Sequence, residues 1–384
     1  MLIRPPARTP HIALDCRYLG PRPSGIGEVV AALVRHLPSL GPDCRFTFLR
    51  HPSRDEPLSG AANVRELTVH AAANGPVTLL HLPLAVDLRG IDLFHAPANI
   101  LPGGLTMPAI TTVHDVMWMT HPEWCNPSPW GRIEQHFYRH GILRALRHSA
   151  LVATVSEASR AEIARVAPAS GARVVVTRSG VAEDFHPAQP DAAALARMGL
   201  APDKRYVLIV GQGAPYKNHQ GALRAFALAC GALPDIDLVL VQRRGGKRQG
   251  PAELARDLGL ENRVHVLEPV DRTALVQLYS GAAVLLHPSF VEGFGNPVAE
   301  AMACGCPVVT SNCSAMPEVA GGAALLVNPH DPVSIAAALR QVTHDPALAA
   351  ALRQRGLARS AELDWRAFAA ANLALYRKVL GTPA

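Results

Sequence analysis

The chain has 384 residues, of which 49% are hydrophobic and 18% charged, and its formal net charge is +6. This composition excludes a disordered or fibrous protein and allows roughly two to three globular domains. The positive balance suits anionic small molecules or an anionic membrane face, but it is too small to indicate nucleic-acid binding, and no nucleic-acid motif occurs in the sequence.

Short apolar runs alternate with amphipathic stretches through the first half of the chain. HIALDC predicts a buried strand, and GEVVAALVRHL predicts the helix that follows it. IDLFHAP and PAITTVHDV predict strands that end near His95 and His114, and ALVATVS and ARVVVTRSG continue the pattern. After Pro187 the sequence is polar and helix-prone without strand character, which indicates a break between two blocks.

The alternation starts again in the second half of the chain. Strands are predicted at RYVLIVG, IDLVLVQ, NRVHVLE, AVLLHPS, PVVTSN and AALLVNP, with helices between them. Such alternation is typical of parallel sheets covered on both faces. We therefore predict an α/β protein with two doubly wound domains, at 1–190 and 191–364, facing each other across a cleft. The amphipathic segment 365–384 is predicted to be a helix that crosses back to the N-terminal domain.

The stretch HPSFVEGFGNPVAEAMACG places two glutamates, Glu292 and Glu300, on either side of a glycine-rich turn. Asn296 is predicted to cap the next helix and Pro297 to be its first residue, which puts Glu300 at the fourth helical position. Such a turn brings backbone N–H groups to a phosphate, and the flanking carboxylates suit sugar hydroxyls. The alternative, a solvated loop acid and an acid that favours the helix dipole, stays open.

A longer stretch around these glutamates, VEGFGNPVAEAMACGCPVVTSN followed by MPEVAGGAALLVNPHDP, closely resembles the E-x7-E region of the retaining family 4 glycosyltransferases. Further segments match in the family's order: SGIGEVV, TVHDV, ATVSEASRAEI, SGVAEDFHP, YVLIVGQGAPYKN and DWRAFAAANLALYRKVL. The resemblance covers most of the chain and is most specific in its C-terminal part. It implies the GT-B fold, with two Rossmann-like domains, and a mannosyltransferase-like enzyme.

The resemblance implies a role for each matching residue. The family's second glutamate binds ribose hydroxyls and corresponds to Glu300, whereas the first contacts the transferred sugar and corresponds to Glu292. Lys217 matches the lysine that pairs with the diphosphate, where it offsets charge on the leaving group. The other positions implied to bind the donor are Gly25, Gly27, Gln212, Gly213, Phe294, Gly295, Asn296 and Pro297.

Two departures from the family pattern concern the donor. Asn296 replaces the usual leucine, and we interpret it as a helix cap. An arginine usually accompanies the diphosphate lysine, but only Gln212 and Tyr216 lie in its vicinity. Our hypothesis is that Arg243 or Arg244, at the end of the next strand, takes its place. Gly25 and Gly27 are equally consistent with an ordinary tight turn between a strand and its helix.

Histidines in the N-terminal half are the remaining candidates. His114 in TVHDV matches a histidine that lies beside the transferred sugar in similar enzymes, so it joins Glu292 and Lys217 as a predicted catalytic residue. Asp115 is predicted to orient that imidazole or to bind the acceptor. His95 is a weaker candidate, for which a structural role is favoured.

The sequence agrees less well with several other functions. Asp235 and Asp237 form a D-x-D at the start of a predicted strand, where acids usually mark a turn, so neither a metal nor another cofactor is predicted. VLIVGQG lacks the third glycine of a dinucleotide fingerprint, because Tyr216 occupies that position. A sugar phosphorylase of the same fold and a catalytically silent nucleotide-sugar-binding partner stay open as alternatives.

Targeting and redox signals favour a cytoplasmic protein. No signal-peptide region and no spanning apolar run is found, and seven cysteines without a C-x-x-C pair favour reduced thiols. WGRIEQHFYRHGILRALRHSA is interpreted either as a basic amphipathic helix on the inner face of the plasma membrane or as an ordinary surface helix. Failure to bind anionic liposomes at low salt would exclude the first interpretation.

Together these patterns predict a metal-independent, retaining glycosyltransferase of polysaccharide biosynthesis. Its donor is a nucleotide diphosphate sugar, with GDP-mannose as the first choice and a UDP-hexose as the second. Its acceptor is a hydroxyl of a glycan or of a lipid-linked oligosaccharide. The oligomeric state is not predicted.

Overall fold

A computed structural model describes residues 9–20, 24–126, 128–201, 203–242 and 250–382. The chain divides into two compact units by the contacts between its residues. The first comprises the described residues within Met1–Pro122, Asn126–Ser179 and Trp365–Ala384, and the second those within Glu123–Cys125 and Gly180–Asp364. This division falls slightly before 190, and the functional domain boundary stays a prediction.

The first unit is built on a parallel sheet. Its strands within the described residues are β1 His11–Asp15, β2 Arg45–Arg50, β3 Val64–Thr68, β4 Leu93–Ala96, β5 Ala109–Thr112, β6 Leu151–Thr154 and β7 Val174–Val176. They pair in the order β3-β2-β1-β4-β5-β6-β7, and every pairing is parallel. Because the order reverses at β1, this sheet is doubly wound.

Helices connect these strands and cover the sheet. Those in the first part of the chain are α1 Gly25–Leu40, α2 Pro76–His81, α3 Met117–Thr120, α5 Gly131–His148 and α6 Glu157–Val166; between α3 and α5 in the sequence lies α4 Pro122–Cys125, whose residues Glu123–Cys125 belong to the second unit. The last helix, α15 at Trp365–Leu380, belongs to the first unit and packs against α1. It buries Trp365, Phe368 and Tyr376, which form its apolar stripe.

The second unit repeats this architecture. Its strands are β8 Arg205–Val210, β9 Ile236–Val241, β10 Val264–Leu267, β11 Val284–His287, β12 Val308–Ser311 and β13 Leu325–Val327. The order is β10-β9-β8-β11-β12-β13, again with every pairing parallel. Its helices in the described part are α7 Ala192–Arg197, α8 His219–Cys230, α9 Pro251–Asp257, α10 Arg272–Gly281, α11 Asn296–Ala303, α12 Met316–Ala320, α13 Pro332–His344 and α14 Pro346–Ser360.

The continuous apolar runs of the sequence become strands that are buried on both faces. In β9, the sequence IDLVLV is buried at every position. Helices on the two sides provide the cover, so alternate side chains enter different cores, as parallel sheets require. Burial of each such leucine or valine contributes about 1.5–3 kcal/mol, which fixes the strands and therefore the loops at their ends.

Helix α1 begins earlier than predicted. Its N-cap is Ser24, whose side-chain oxygen accepts a hydrogen bond from the backbone N–H of Gly27 at 3.0 Å. Gly25 and Gly27 therefore lie in the first turn of the helix and not in a loop before it, which corrects the prediction. Serine is among the best N-caps, and this explains why the helix starts there despite two glycines.

Surface features of α5 bear on the membrane question. Trp130, just before this helix, is 70% exposed, and Ile133 in its first turn is 59% exposed. No helix among the described residues is long and apolar enough to cross a membrane. Contact with a membrane surface stays a prediction.

Candidate active site

A buried ion pair lies at the carboxyl ends of two neighbouring strands of the second unit. Strand β8 leads to Lys217, and β11 leads to Glu292; the two strands pair directly. The Nζ of Lys217 donates to Oε1 of Glu292 at 2.6 Å. Their side chains are only 10% and 11% exposed. The two residues are 75 positions apart in the sequence, and the sheet order brings them together.

The loop that carries Lys217 is fixed by the residue after it. Asn218 adopts the left-handed conformation (φ 55°) and caps α8 by accepting a hydrogen bond from the N–H of Gly221. Its side-chain nitrogen donates to the carbonyls of Pro288 and Pro329 at 3.2 and 2.7 Å. Asparagine tolerates this backbone conformation better than most residues. The side chain therefore ties the lysine loop to the segments that follow β11 and β13.

Glu292 is held at its backbone as well. Its N–H donates to Oγ of Ser314 at 3.0 Å, and its carbonyl accepts from the same hydroxyl at 2.8 Å. Ser314 itself has a positive φ of 55°, which is uncommon for a residue with a side chain. This local strain is compensated by a double contact that orients the glutamate.

His287, the last residue of β11, completes the cluster. Its Nε2 donates to Oε1 of Glu292 at 3.1 Å and lies 3.2 Å from Oγ of Ser289. Burial lowers the pKa of this imidazole below its usual value. The ring is therefore neutral at pH 7, and it carries its hydrogen on Nε2 because a carboxylate can only accept.

The cluster keeps Glu292 ionised. Burial by itself raises the pKa of its carboxyl group, but the ammonium of Lys217 and the hydrogen bond from His287 outweigh this effect and lower the pKa to about 2. Nearby, burial lowers the pKa of His219 to about 4, and its Nδ1 lies 3.0 Å from Oε1 of Gln242. The cluster thus presents an ionised carboxylate beside the nitrogen of Lys217.

Replacing Glu292 with glutamine is expected to remove the part of the free energy of unfolding that the wild type loses at acid pH. The folded-state pKa is about 2 and the ordinary value is 4.5, so the ionised carboxylate stabilises the fold fully above pH 4.5. This contribution is lost as the pH falls toward 2. Relative to Glu292→Gln, the wild-type free energy of unfolding should fall by about 1 kcal/mol between pH 7 and pH 3.5.

Urea unfolding of both proteins at the two pH values measures this difference. Glu261→Gln, in an exposed turn, serves as the control and should follow the wild type closely. Parallel pH dependence of the wild type and Glu292→Gln would contradict the ion pair.

Helix α11 starts beside this cluster, one residue earlier than predicted. Its N-cap is Gly295, so Asn296 and Pro297 are the first two helical residues and Glu300 is the fifth. No side-chain hydrogen bond caps this helix, and the interpretation of Asn296 as the cap is therefore wrong. Gly295 has φ 105°, a backbone conformation that residues with a side chain rarely adopt, which explains why glycine occupies this position.

Glu300 lies on this helix and contacts a buried phenol. The hydroxyl of Tyr279 in α10 donates to Oε2 of Glu300 at 2.8 Å. Burial and the charge of Glu300 raise the pKa of this tyrosine well above its usual value, so the hydroxyl stays protonated and donates. The contact fixes the direction of the glutamate. Phe294, two positions before Asn296, is buried.

Gln212 and Gly213 follow β8 on the way to Lys217. The side-chain nitrogen of Gln212 donates to the hydroxyl of Tyr216 at 2.5 Å, and Lys217 lies over the tyrosine ring at 5.3 Å from its centre. A Cβ on Gly213 would come within 3.3 Å of the Gln242 side chain. Through Tyr216, these contacts place Gln212 close to Lys217.

The arginines that we expect to replace the missing diphosphate arginine follow β9 in the sequence. Arg243 and Arg244 lie outside the described residues, so their predicted role in place of the missing arginine stays a hypothesis.

Candidates in the first unit occupy the region just after β5. The ring Nε2 of His114 donates to the carbonyl of Pro97 at 2.8 Å, and its backbone N–H donates to Oδ1 of Asn99. Burial lowers the pKa of this imidazole. Oδ1 of Asp115 accepts from the backbone N–H of Met117 at 2.9 Å. This hydrogen bond lies at the start of α3, so it orients the turn after the strand.

His95 has a different environment. It is fully buried, with Nδ1 at 2.6 Å from the hydroxyl of Tyr376 and Nε2 at 2.9 Å from Oγ1 of Thr112. Burial lowers the pKa of the ring to about 3. These contacts join α15 to the sheet, which is a structural function.

The D-x-D sequence spans the start of β9, and its second acid, Asp237, is buried beside basic side chains. Its carboxylate accepts from Nζ of Lys204 at 3.3 Å and from Nε2 of His265 at 2.9 Å, and Arg263 is nearby. Over the described ranges, no group of three His, Cys, Asp or Glu side chains could hold a metal ion. Asp237 is thus part of an ionic cluster near the amino ends of the strands.

Sequence reasoning did not assign several residues that the structure brings to the site. These are His287, Tyr279, Ser314, Asn218 and His219. For His287 a signal existed, because it is a polar residue at the carboxyl end of a predicted buried strand, where ligands bind in such sheets. The other four show no pattern that distinguishes them from ordinary helix or loop residues.

Comparisons with known proteins agree with this architecture. The family model described as glycosyl transferases group 1 matches residues 192–359. The O-antigen chain mannosyltransferase B of Escherichia coli is 33% identical over 280 residues, which cover 71% of each chain.

Solved structures extend the likeness to nearly the whole chain. Sucrose-phosphate synthase from Thermosynechococcus elongatus superposes with a TM-score of 0.77 at 23% identity, covering 97% of this chain and 99% of the other. HepE from Anabaena, in complex with UDP and glucose, gives 0.71 at 19% identity, covering 96% and 99%. At these sequence identities, the similarity of both structures to this chain concerns the fold alone.

Proposed function

Because this chain belongs to the group 1 glycosyltransferase family and has the GT-B fold, we propose that it transfers a hexose from a nucleotide diphosphate sugar to a hydroxyl of a glycan or lipid-linked acceptor. The observation that carries the proposal is the buried pair of Lys217 and Glu292 beside the first turn of α11. A cation, a helix N-terminus and a fixed carboxylate suit a diphosphate joined to a sugar.

Each group has a separate task in this proposal. Lys217 and the backbone N–H groups at Gly295 and Asn296 bind the diphosphate, and the ammonium stabilises the charge that develops as it leaves. Glu292 accepts hydrogen bonds from hydroxyls of the transferred sugar. Glu300, oriented by Tyr279, accepts those of the ribose.

The reaction is proposed to retain the anomeric configuration, as in the family 4 enzymes, through an oxocarbenium-like path on one face of the sugar. The bond from the anomeric carbon to the phosphate oxygen breaks, and the acceptor oxygen bonds to the same carbon. The leaving phosphate takes the acceptor's proton, so no side-chain nucleophile and no metal is assigned.

GDP-mannose is the first choice of donor, because a relative that shares 71% of its length with this chain is named as a mannosyltransferase. The UDP complex of HepE supports a UDP-hexose as the second choice. Thermal-shift measurements with GDP, UDP and dTDP separate them, since a ligand that binds the native state raises its apparent stability. We expect the largest shift with GDP.

The experiment continues with the sugar donors. Transfer of radiolabelled mannose from GDP-mannose to polyprenol-linked oligosaccharide should exceed transfer of glucose from UDP-glucose. Absence of a shift with every nucleotide, together with absence of transfer from both donors, would refute the proposal. Release of sugar phosphate from a disaccharide and inorganic phosphate would favour a phosphorylase, and nucleotide binding without transfer or donor hydrolysis would favour a silent binding partner.

A further inference from the structure

The carboxylate of Glu292 is shared by two donors of different character. Its Oε1 accepts from Lys217 at 2.6 Å and from His287 at 3.1 Å. The lysine nitrogen ends a flexible stem and carries three hydrogens, so it can turn toward another anion. The imidazole sits at the end of β11 with only 3% of its side chain exposed, and it has no comparable freedom.

The surroundings of His287 hold the ring in place. Its backbone carbonyl accepts from Oγ1 of Thr310 at 2.8 Å, which joins β11 to β12. Oγ of Ser289 lies within hydrogen-bond distance of Nε2, and the carbonyl of Ser289 accepts from Oγ of Ser311 at 2.6 Å. The histidine therefore belongs to the rigid edge of the sheet.

Donor binding creates a conflict at this cluster. In the proposed function the ammonium of Lys217 turns toward the diphosphate, which weakens its hydrogen bond to the carboxylate of Glu292. A buried carboxylate that loses its partners is strongly destabilised and would turn toward another donor. The glutamate must nevertheless keep its direction in order to bind the sugar hydroxyls.

We propose that His287 is a positioning residue that holds Glu292 in place when Lys217 turns from the glutamate to the donor diphosphate. This inference rests on the proposed function, which assigns the lysine to the diphosphate and the glutamate to the sugar. With Ser314 fixing the backbone of Glu292 and His287 fixing its carboxylate, the side chain is held at both ends.

A pair of substitutions tests the position of the donated hydrogen. In His287→Gln the amide nitrogen reaches about as far as Nε2, whereas in His287→Asn it is one bond short. We expect kcat with saturating GDP-mannose to fall about 10- to 100-fold in His287→Asn, because a displaced group at a reacting centre costs this much. His287→Gln should stay within about threefold of the wild type. Binding of GDP, which lacks the sugar, should be unchanged in both.

A double-mutant cycle separates positioning from a general effect on the fold. In a Glu292→Ala background, which removes the acceptor, His287→Asn should cause little further loss of kcat, since the group it positions is absent. His265→Asn is the matched control, because His265 also donates to a buried carboxylate, that of Asp237, in the same unit. It should leave kcat unchanged.

Three results would overturn the proposal. Equal activity of the Asn and Gln variants would show that the hydrogen bond has no role. A loss in the Glu292→Ala background as large as in the wild type would assign the effect to folding. If the wild type binds neither GDP nor UDP and transfers no sugar, the proposed function fails and the inference fails with it. If the wild type is active but the Asn and Gln variants have equal activity, the inference alone fails.

Discussion

Replacement of Glu292 by glutamine is expected to lower kcat about 10²- to 10³-fold, the effect of removing one preorganised polar group from a transition state. The amide preserves the size of the side chain but removes its charge, so it binds sugar hydroxyls more weakly and no longer pairs with Lys217. Because the glutamate is proposed to contact the sugar and not the nucleotide, affinity for GDP should change little. Steady-state transfer from GDP-mannose and titration calorimetry with GDP measure the two quantities.

Glu261→Gln is the matched control, since it makes the same chemical change in an exposed turn of the same unit. Its kcat should equal that of the wild type. Full activity of Glu292→Gln would refute the assignment of this carboxylate to the sugar.

Replacement of Lys217 by methionine is expected to lower kcat/KM by about 10²- to 10³-fold and to weaken GDP binding at the same time. The ammonium is proposed to contact the diphosphate both in the bound donor and in the leaving group, so ground-state binding and turnover both suffer. In this variant, His287 is the remaining side chain of this cluster that donates a hydrogen bond to the buried carboxylate of Glu292. Breaking a buried pair in this way costs about 3–5 kcal/mol of stability.

Loss of activity must therefore be measured under conditions in which the variant is folded, as judged by circular dichroism. Lys204→Met is the control, because Lys204 pairs with Asp237 at the other ends of the strands. GDP affinity and kcat/KM should be those of the wild type in this control. Unchanged GDP affinity in folded Lys217→Met would contradict the contact with the diphosphate.

The prediction from sequence succeeded for most of the strands that are buried on both faces, although β2, which is buried from Phe46 to Leu49, is an exception. The apolar run of β9 indicates a strand whatever its neighbours are. Strands β2 and β3 were not predicted. β3, VRELT, lies at the edge of its sheet and has no fully buried residue, so its apolar content is low and its periodicity weak. Only pairing with β2 makes it a strand.

The first residue of a helix is also difficult to predict from sequence, as α11 shows. A sequence shows which residues are able to cap a helix, and Asn296 is one of them. The structure begins α11 at this residue, because Gly295 before it takes a positive φ and is the N-cap. Glycine and asparagine can both cap a helix, so the local sequence does not decide between these two neighbouring residues.

By itself, the sequence determined the chemistry of single segments: a glycine-rich turn between two acids, a lysine after a strand, and alternating strands and helices. These properties follow from neighbouring residues, because backbone conformation and burial pattern repeat along the chain. The tertiary structure alone decided that Lys217 meets Glu292, that His287 shares the same carboxylate oxygen, and that Tyr279 orients Glu300. The physical reason is that hydrogen bonds between distant residues, and the pKa changes they produce, depend on strand order and burial, and these exist only once the sheet has formed.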